Sequence, residues 1–369
     1  MKKLAIIGAN DFQNQLILKA KALGYETHVF AWEEGAVGKE TADFFYPISI
    51  IEKDEILAEC KRIKPDGVCS IASDLAAITV NYVAQNLGLP CNRTEFTGIQ
   101  TNKYLMRQAM SDFGVACPKF VRVGEDFDRK IISDFTFPII VKPTDRSGSR
   151  EIMKLESFEG IEAAVKSACG VSFEHKAIIE EYIEGNEYSM ETITQNGVHH
   201  YLATTKKYTT GAPHFIETGH CQPSDLSEET NKKAIETVLR ALDALHVENS
   251  AGHSEFKVDK NSNIKIIEIG ARMGGDCIGS DLVYLSTGHD FIKMVIDVAT
   301  GVPVSVSDNP SSNKVDVRFI FSQEDVDELE RIKAEGSKLI YRENIEENID
   351  PDNVVDSGSR FGYYITKEN

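Results

Sequence analysis

The sequence predicts a protein of mixed α/β and α+β class: a parallel sheet covered by helices, then a larger unit rich in antiparallel strands. Three features carry that expectation. Residues 1–92 alternate short apolar runs with amphipathic stretches that end at glycine or proline, the rhythm of β-α-β-α units. From about Cys117 to Ile193 the rhythm changes to strands with one helix between them. Residues 253–269 read as two alternating runs about a polar turn, a hairpin.

In order, KLAIIG is a buried strand, DFQNQLILKAKALG an amphipathic helix ending at Gly24, and YETHVFAW a second strand. KDEILAECKRIKP, DGVCSIA and DLAAITVNYVAQNLGLP supply helix, strand and helix, the last closed by Gly88 and Pro90. A linker then leads into a helix over TNKYLMRQAMSDFG, with Gly114 at its end. KFVRV, FPIIVKP and EIMKL are strands, FEGIEAAVKSAC a helix, and AIIEEYI and EYSMETIT strands again. Residues 207–229 read as a polar loop before the helix EETNKKAIETVLRALDALH. The hairpin is followed by a Gly-rich turn and the helix HDFIKMVIDVATG, and residues 301–369 are mixed and acidic.

At 369 residues the chain is long enough for about two or three domains. Its 41% hydrophobic and 27% charged content is that of a soluble globular protein. A formal charge of −18 argues against nucleic acid or an anionic membrane as main partner, since a phosphate backbone demands a basic surface. A nucleotide needs only a locally positive pocket and stays open. Seven cysteines are scattered without a C-x-x-C or Cys/His cluster, which reads as reduced thiols in a cytosolic protein with no zinc site. The apolar run Leu4–Ile7 is too short for a signal peptide, and no stretch approaches the ~18 apolar residues of a membrane span, so the cytoplasm is expected.

The stretch IIVKPTDRSGSREIMKL places Lys142 ahead of a small polar loop, Ser147, Gly148, Ser149 and Arg150, between two strands. A lysine beside a small-residue loop suggests phosphate handling, but the order is not that of G-x-x-x-x-G-K-[ST] running into a helix. In the N-terminal GANDFQ, Asn10 and Gln13 stand where a dinucleotide fingerprint has its second and third glycines, so NAD binding is not expected.

Glu255 and Glu268 are equidistant from a turn centred between Asn261 and Ser262, so a symmetric loop sets them opposite each other. Like charges so opposed repel. They are either solvated on an exposed face or a site for a cation such as Mg²⁺, which takes hard oxygen ligands. The apolar run IKIIEIG around Glu268, with Arg272 and Gly274-Gly275 directly after it, favours the cation. In IIEEYIEGNEYSMET, Glu180 ends an apolar strand, and Glu187, Ser189 and Glu191 share a face of the next. Such acids either accept hydrogen bonds from ribose or adenine or form the polar side of a half-exposed strand. Ser73-Asp74 follows a strand's C-terminal end, a ligand-facing position in α/β sheets.

Taken in this order, TNKYLMRQ, IIVKPTDRSGSRE, IIEEYIEGNEYSME, GHSEFKVD and IIEIGARMGGD resemble the ATP-grasp superfamily over nearly the whole chain. The resemblance implies a Rossmann-like N-terminal domain (1–93) and an ATP-grasp domain (94–300) whose two α+β subdomains grip ATP. The lid subdomain would span about 118–193, and a small C-terminal subdomain 301–369. By the same resemblance Lys103 and Lys142 touch the ATP phosphates, and Ser147, Gly148, Ser149 and Arg150 form the mobile loop that closes over them. Glu180, Glu181, Tyr182 and Ile183 match the adenine linker, with Glu180 on the amino group, and Glu187 matches the acid that holds the ribose. Glu255 and Glu268 match the carboxylates for Mg²⁺, with Mn²⁺ as an alternative ion. Many members read E-x-N-x-R where this chain reads E-I-G-A-R, so Gly270 offers no side-chain ligand. A subset resembling the L-amino-acid ligases shares that departure, and FIETGHCQPS, ARMGGD and DSGSRFGYYI are similar to it.

The implied reaction is phosphorylation of a carboxylate by ATP, followed by attack of an amine on the acyl phosphate, with Arg272 and Lys142 as catalytic cations. Small-molecule carboxylate and amine substrates, an amino acid among them, are expected near Glu191, Glu217, His220, Arg272, Gly274 and Gly275. Glu217 and His220 are candidates for an ammonium contact and proton handling, or belong to a structured loop without such a role. A homodimer is usual in the resembled family. The alternatives are a carbamoyl-phosphate-synthetase-like or purine-pathway ligase using bicarbonate or a small carboxylate, and a catalytically silent nucleotide-binding regulator.

Overall fold

The structure is a computed structural model that describes residues 1–369 except 147, 149, 213, 214 and 369. The chain opens with β1 (Lys3–Ile7), α1 (Asp11–Ala22), β2 (Glu26–Phe30), β3 (Phe44–Tyr46), α2 (Lys53–Ile63), β4 (Gly67–Cys69) and α3 (Asp74–Leu87). The strands form a parallel sheet in the order β3-β2-β1-β4. Leu4, Ala5, Ile6 and Ile7 are all fully buried because helices cover both faces of the central strand. At the first turn, Asn10 caps α1 in a reciprocal box with Gln13, whose amide also donates to the Ile71 carbonyl at 3.0 Å. The Gln13 side chain also packs over Gly8, where a Cβ would fall 2.8 Å from Gln13 Cδ.

Next come α4 (Thr97–Thr101), α5 (Lys103–Asp112), β5 (Phe120–Val123), β6 (Ile139–Pro143), β7 (Met153–Leu155), α6 (Ile161–Val171) and β8 (Ala177–Glu181). The four strands form an antiparallel sheet in the order β5-β8-β6-β7. Ile161, Ala164, Val165 and Ala168, at the i, i+3, i+4, i+7 spacing of one helix face, seat α6 on Ile139, Val141 and Ile179.

The rest of the chain is β9 (Asn186–Gln195), β10 (Val198–Thr209), β11 (Glu217–Gln222), α7 (Glu228–Ala244), β12 (Ser250–Val258), β13 (Ile264–Gly270), α8 (Val283–Thr287), α9 (Phe291–Ala299), β14 (Val315–Phe319), α10 (Gln323–Glu335), β15 (Leu339–Ile345) and β16 (Gly362–Lys367). Its strands make one eight-stranded sheet in the order β13-β12-β9-β10-β11-β14-β16-β15. α9 is apolar almost all round and lies in a core shared by Leu4, Ile6, Leu16 and Ile17 of the parallel unit and Ile193 and Leu202 of the large sheet. That core fixes the N-terminal unit against the large sheet.

Three features differ from the sequence reading. β9 pairs with β10 and β12, so the small sheet stops at Glu181 rather than running to residue 193. β14, β15 and β16, in the stretch expected as a small C-terminal subdomain (301–369), extend the large sheet. Within 207–229, read as a loop, β10 continues to Thr209 and β11 occupies Glu217–Gln222. Their mixture of threonines, histidines and lysines breaks the apolar alternation that marks a strand, because their polar face looks into a cleft.

Candidate active site

The small sheet and the polar face of the large sheet enclose a cleft of about 360 Å³, closed at its back by Ala72 and Asp74 of the parallel unit. Such a volume suits a small-molecule site. Cross-strand pairing builds its floor: Glu187, Ser189 and Glu191 on β9 stand opposite Lys257, Glu255 and His253 on β12.

Glu255 and Glu268 face each other as the sequence suggests, but by a different route. Near the turn the pairs are Phe256↔Ile266, Lys257↔Lys265 and Val258↔Ile264, centred on Asn261. A bulge at the step after Glu255 leaves Ile267 unpaired and brings Glu268 opposite Glu255. The side chains keep 23% and 27% of their surface. Each carboxylate is met by a lysine: Lys103 Nζ donates to Glu268 Oε1 at 2.8 Å, and Lys207 Nζ bonds Glu255.

Lys207 is a centre of charge that the sequence reading missed. Buried on β10, it also lies 3.5 Å from Glu187 and 3.5 Å from Glu217. Burial opposes its charge, but Glu255, Glu217 and Glu187 together hold its ammonium well above the usual lysine range. Burial pushes Glu187 up, against the pull of Lys207, while the same lysine and His253 overcome burial and hold Glu255 well below the carboxylate range. His253 was missed as well, although it sits two residues before Glu255 and so shares its face. It bridges Glu191 and Glu255, and against its burial the Glu191 charge raises it to about 9.

On the small-sheet side, Lys142 of β6 is buried and its Nζ lies 2.6 Å from Glu180 Oε2 on the neighbouring β8. Arg107, on α5, takes the other oxygen of Glu180 and also donates to the Ile267 carbonyl at the bulge. Burial opposes ionisation, but Arg107 and Lys142 bring Glu180 down to about 2. The carboxylate expected on an adenine amino group is therefore already the counter-ion of two cations. Burial lowers Lys142, against the attraction of Glu180. Lys103 stands at the start of α5, where Asn102 caps the helix, and its Nζ also donates to the Arg146 carbonyl at 2.6 Å. Glu181, Tyr182, Ile183 and Gly148 line the same cleft. Gly148 has φ +75°, a conformation glycine adopts without strain. Ser147 and Ser149 lie outside the described residues.

At the other end stand Glu217, His220, Arg272, Gly275 and Asp276. Arg272 forms a two-point pair with Asp74, at 2.8 and 3.3 Å. His220 is fully buried, with neither ring nitrogen hydrogen-bonded among the described residues, and Nε2 is 3.8 Å from Asp276. Burial lowers His220, against the pull of Asp276. Asp276 is gripped by Arg360 at 3.0 and 2.7 Å, and Ser357 of the same late segment bonds Glu217. Asp276 and Arg360 lie in ARMGGD and DSGSRFGYYI, but their 84-residue separation hides that they pair.

Glu191 and Gly274 do not line the cleft. Glu191 has no exposed surface; it bonds His253 and accepts from the Gly274 N–H at 3.3 Å. A Cβ on Gly274 would fall 2.7 Å from His253 Nδ1, so that glycine permits packing beneath the site rather than contact with a ligand.

Two opposed carboxylates, each backed by a lysine, form a donor set that fits a hard divalent cation. Among the described residues no group of three or more His, Cys, Asp or Glu is arranged to hold a metal ion. Such an ion would thus draw its remaining ligands from phosphate and water. Also among the described residues, no helix is long and apolar enough to cross a membrane.

Residues 135–281 match the family model of the ATP-grasp domain. The alanine–anticapsin ligase of Bacillus subtilis is 29% identical over 295 residues, which cover 70% of this chain and only 62% of that relative's length. The D-alanine–D-alanine ligase of Lacticaseibacillus casei is 27% identical over 160 residues, 42% of this chain and 43% of the relative. Among solved structures, the L-amino acid ligase from Bacillus licheniformis superposes with a TM-score of 0.82 at 21% identity, covering 100% of this chain and 93% of that one. N5-carboxyaminoimidazole synthetase from Staphylococcus aureus, complexed with ADP, gives 0.79 at 14% identity, over 100% and 93%. The ATP-grasp match thus covers residues 135–281, and the chain as a whole has the fold of these solved structures.

Proposed function

We propose that this chain is an ATP-dependent carboxylate–amine ligase, joining an amino acid to an amine through an acyl phosphate in the cytoplasm, as a homodimer. The observation that carries the reading is the convergence of Lys103, Lys142, Arg272 and the opposed Glu255/Glu268 pair in one cleft. The names of the similar amino-acid ligases support it.

Triphosphate and carboxylate repel each other, so phosphoryl transfer between them needs positioning and cancellation of charge more than covalent help. Lys103 and Lys142 bind phosphate oxygens, the loop around Gly148 covers them, and Glu181 to Ile183 flank the base with Glu187 at the ribose. Glu255 and Glu268 would hold Mg²⁺, or Mn²⁺, which would neutralise phosphate charge as a Lewis acid. Arg272 faces the phosphoryl group in flight. The γ-phosphoryl passes to a carboxylate oxygen and ADP leaves. The amine nitrogen then bonds the carbonyl carbon, the carbon–oxygen bond to phosphate breaks, and the nitrogen loses a proton. His220, kept neutral by burial, accepts that proton, while Glu217 and Gly275 border the amine. Closure of the lid keeps water from the acyl phosphate.

ADP release is the test, screened against single amino acids and their pairs, with the product identified by mass. Turnover driven by bicarbonate rather than amino acids would reassign the chain to bicarbonate chemistry, and none across the panel would leave a nucleotide-binding regulator. Glu268→Gln is expected to cut Mg²⁺-dependent turnover by about 10²-fold or more with melting temperature nearly unchanged; wild-type turnover in this variant would sink the metal assignment.

A further inference from the structure

We propose that Asp74, carried by the parallel N-terminal unit, is the positioning residue that presents Arg272 to the reacting groups, and that residue 270 is glycine because this clamp leaves no room for a side chain. The proposal rests on the ligase reading above. Arg272 Nε donates to Asp74 Oδ1 at 2.8 Å and Nη2 to Oδ2 at 3.3 Å. This side-on pair fixes the guanidinium plane. It leaves donors along the Nη1–Nη2 edge, where only a 3.5 Å contact from Nη1 to the Met273 carbonyl competes among the described residues.

Asp74 is itself anchored. It is the first residue of α3, beside the cap Ser73, whose Oγ accepts from the Ala76 N–H at 3.2 Å, and a helix N-terminus favours a carboxylate. The clamp also has a competitor to exclude: Arg272 feels the charges of Glu255 and Glu268 as well as that of Asp74. Without Asp74 the guanidinium would be drawn toward carboxylates assigned to the cation.

Gly270 is two residues before Arg272. A Cβ there would lie 2.9 Å from Arg272 Cζ, 3.1 Å from Nε and 3.1 Å from Asp74 Oδ1. Gly270 is not among the positive-φ glycines, so its backbone would accept alanine. Space, not conformation, demands the glycine, and an asparagine at this position would displace the clamp.

The experiment compares wild type, Asp74→Asn, Gly270→Ala, Arg272→Lys and the Asp74→Asn/Arg272→Lys double variant, using ADP release with Mg²⁺ and the most active amino-acid pair. Asp74→Asn and Gly270→Ala are each expected to lower kcat by roughly 10–100-fold, the scale of a 1 Å misplacement, with KM for ATP within about twofold of wild type. Asp74→Asn should add less than about twofold in the Arg272→Lys background, since it acts only through that arginine. Wild-type kcat in Asp74→Asn, a change confined to KM, or a full additive loss in the double variant would overturn the proposal and leave the ligase reading intact. Gly270→Ala tests the clamp independently if Asp74→Asn folds poorly. A wild-type enzyme that turns over no pair would overturn the ligase reading itself, a distinct result.

Discussion

Glu180 shows how one side chain can serve two subdivisions of a fold. Its carboxylate joins Lys142 of the small sheet to Arg107 of α5, and Arg107 in turn holds the carbonyl at the bulge that sets Glu268 in place. Breaking a buried pair strands the remaining charge, so Glu180→Gln is expected to cost about 3–5 kcal/mol at neutral pH, measured by urea unfolding. The pH dependence has a definite sign. A carboxyl lowered from 4.5 to about 2 on folding contributes stability above pH 4.5 that is lost as pH falls toward 2. Wild type should therefore lose stability as pH falls from about 4.5 toward 2, and the variant less so; parallel slopes would contradict the assignment. An acid in an apolar strand is visible in the sequence. That Arg107, 73 residues away, is its partner is not.

At the scale of elements, periodicity recovers most of the chain, and β-α alternation alone marks the N-terminal sheet. It fails at β10 and β11, whose polar face lines the cleft, so Lys207 was read as part of a loop. The same failure hid the bulge, because a one-residue insertion leaves no mark on composition while reversing which side chains face the site. The turn between β8 and β9 was legible for a physical reason: Gly185 has φ +121°, and a Cβ there would fall 2.2 Å from the Val258 carbonyl oxygen. Gly185→Ala should therefore destabilise by roughly 1–3 kcal/mol from backbone strain alone, with more from the contact. Thermal melting checks this, and an unchanged midpoint would mean that the turn rearranges freely.

For the whole molecule, the cleft draws on the parallel unit, the small sheet and the large sheet, so a ligand inside it binds the assembled form only. Mg²⁺ with ADP at about 100 times Kd is expected to add about 2.7 kcal/mol to stability, read as a rise in melting temperature. Chelation should remove most of the gain if Glu255 and Glu268 hold the ion; an EDTA-insensitive rise would separate nucleotide binding from the metal. The ordering of motifs conveyed this architecture, since five short segments in fixed sequence are hard to place on another fold. The pairing of Ser357 with Glu217 and of Arg360 with Asp276 was silent although all three segments stand out in the sequence, because the fold alone brings them together.

The strand order β14-β16-β15 also imposes a timetable. Among the described residues β15 joins the sheet only through β16, yet a ribosome makes β15 first. From Ile345 to Lys367 is 22 further residues by subtraction, about 1–4 s of synthesis at roughly 5–20 residues per second. Through that interval β15 has no neighbour in its own sheet, and Leu339 and Tyr341, about half exposed even in the finished fold, are open to other chains. Arg360 emerges within the same interval, so the partner of Asp276 and the partner strand of β15 reach the sheet together.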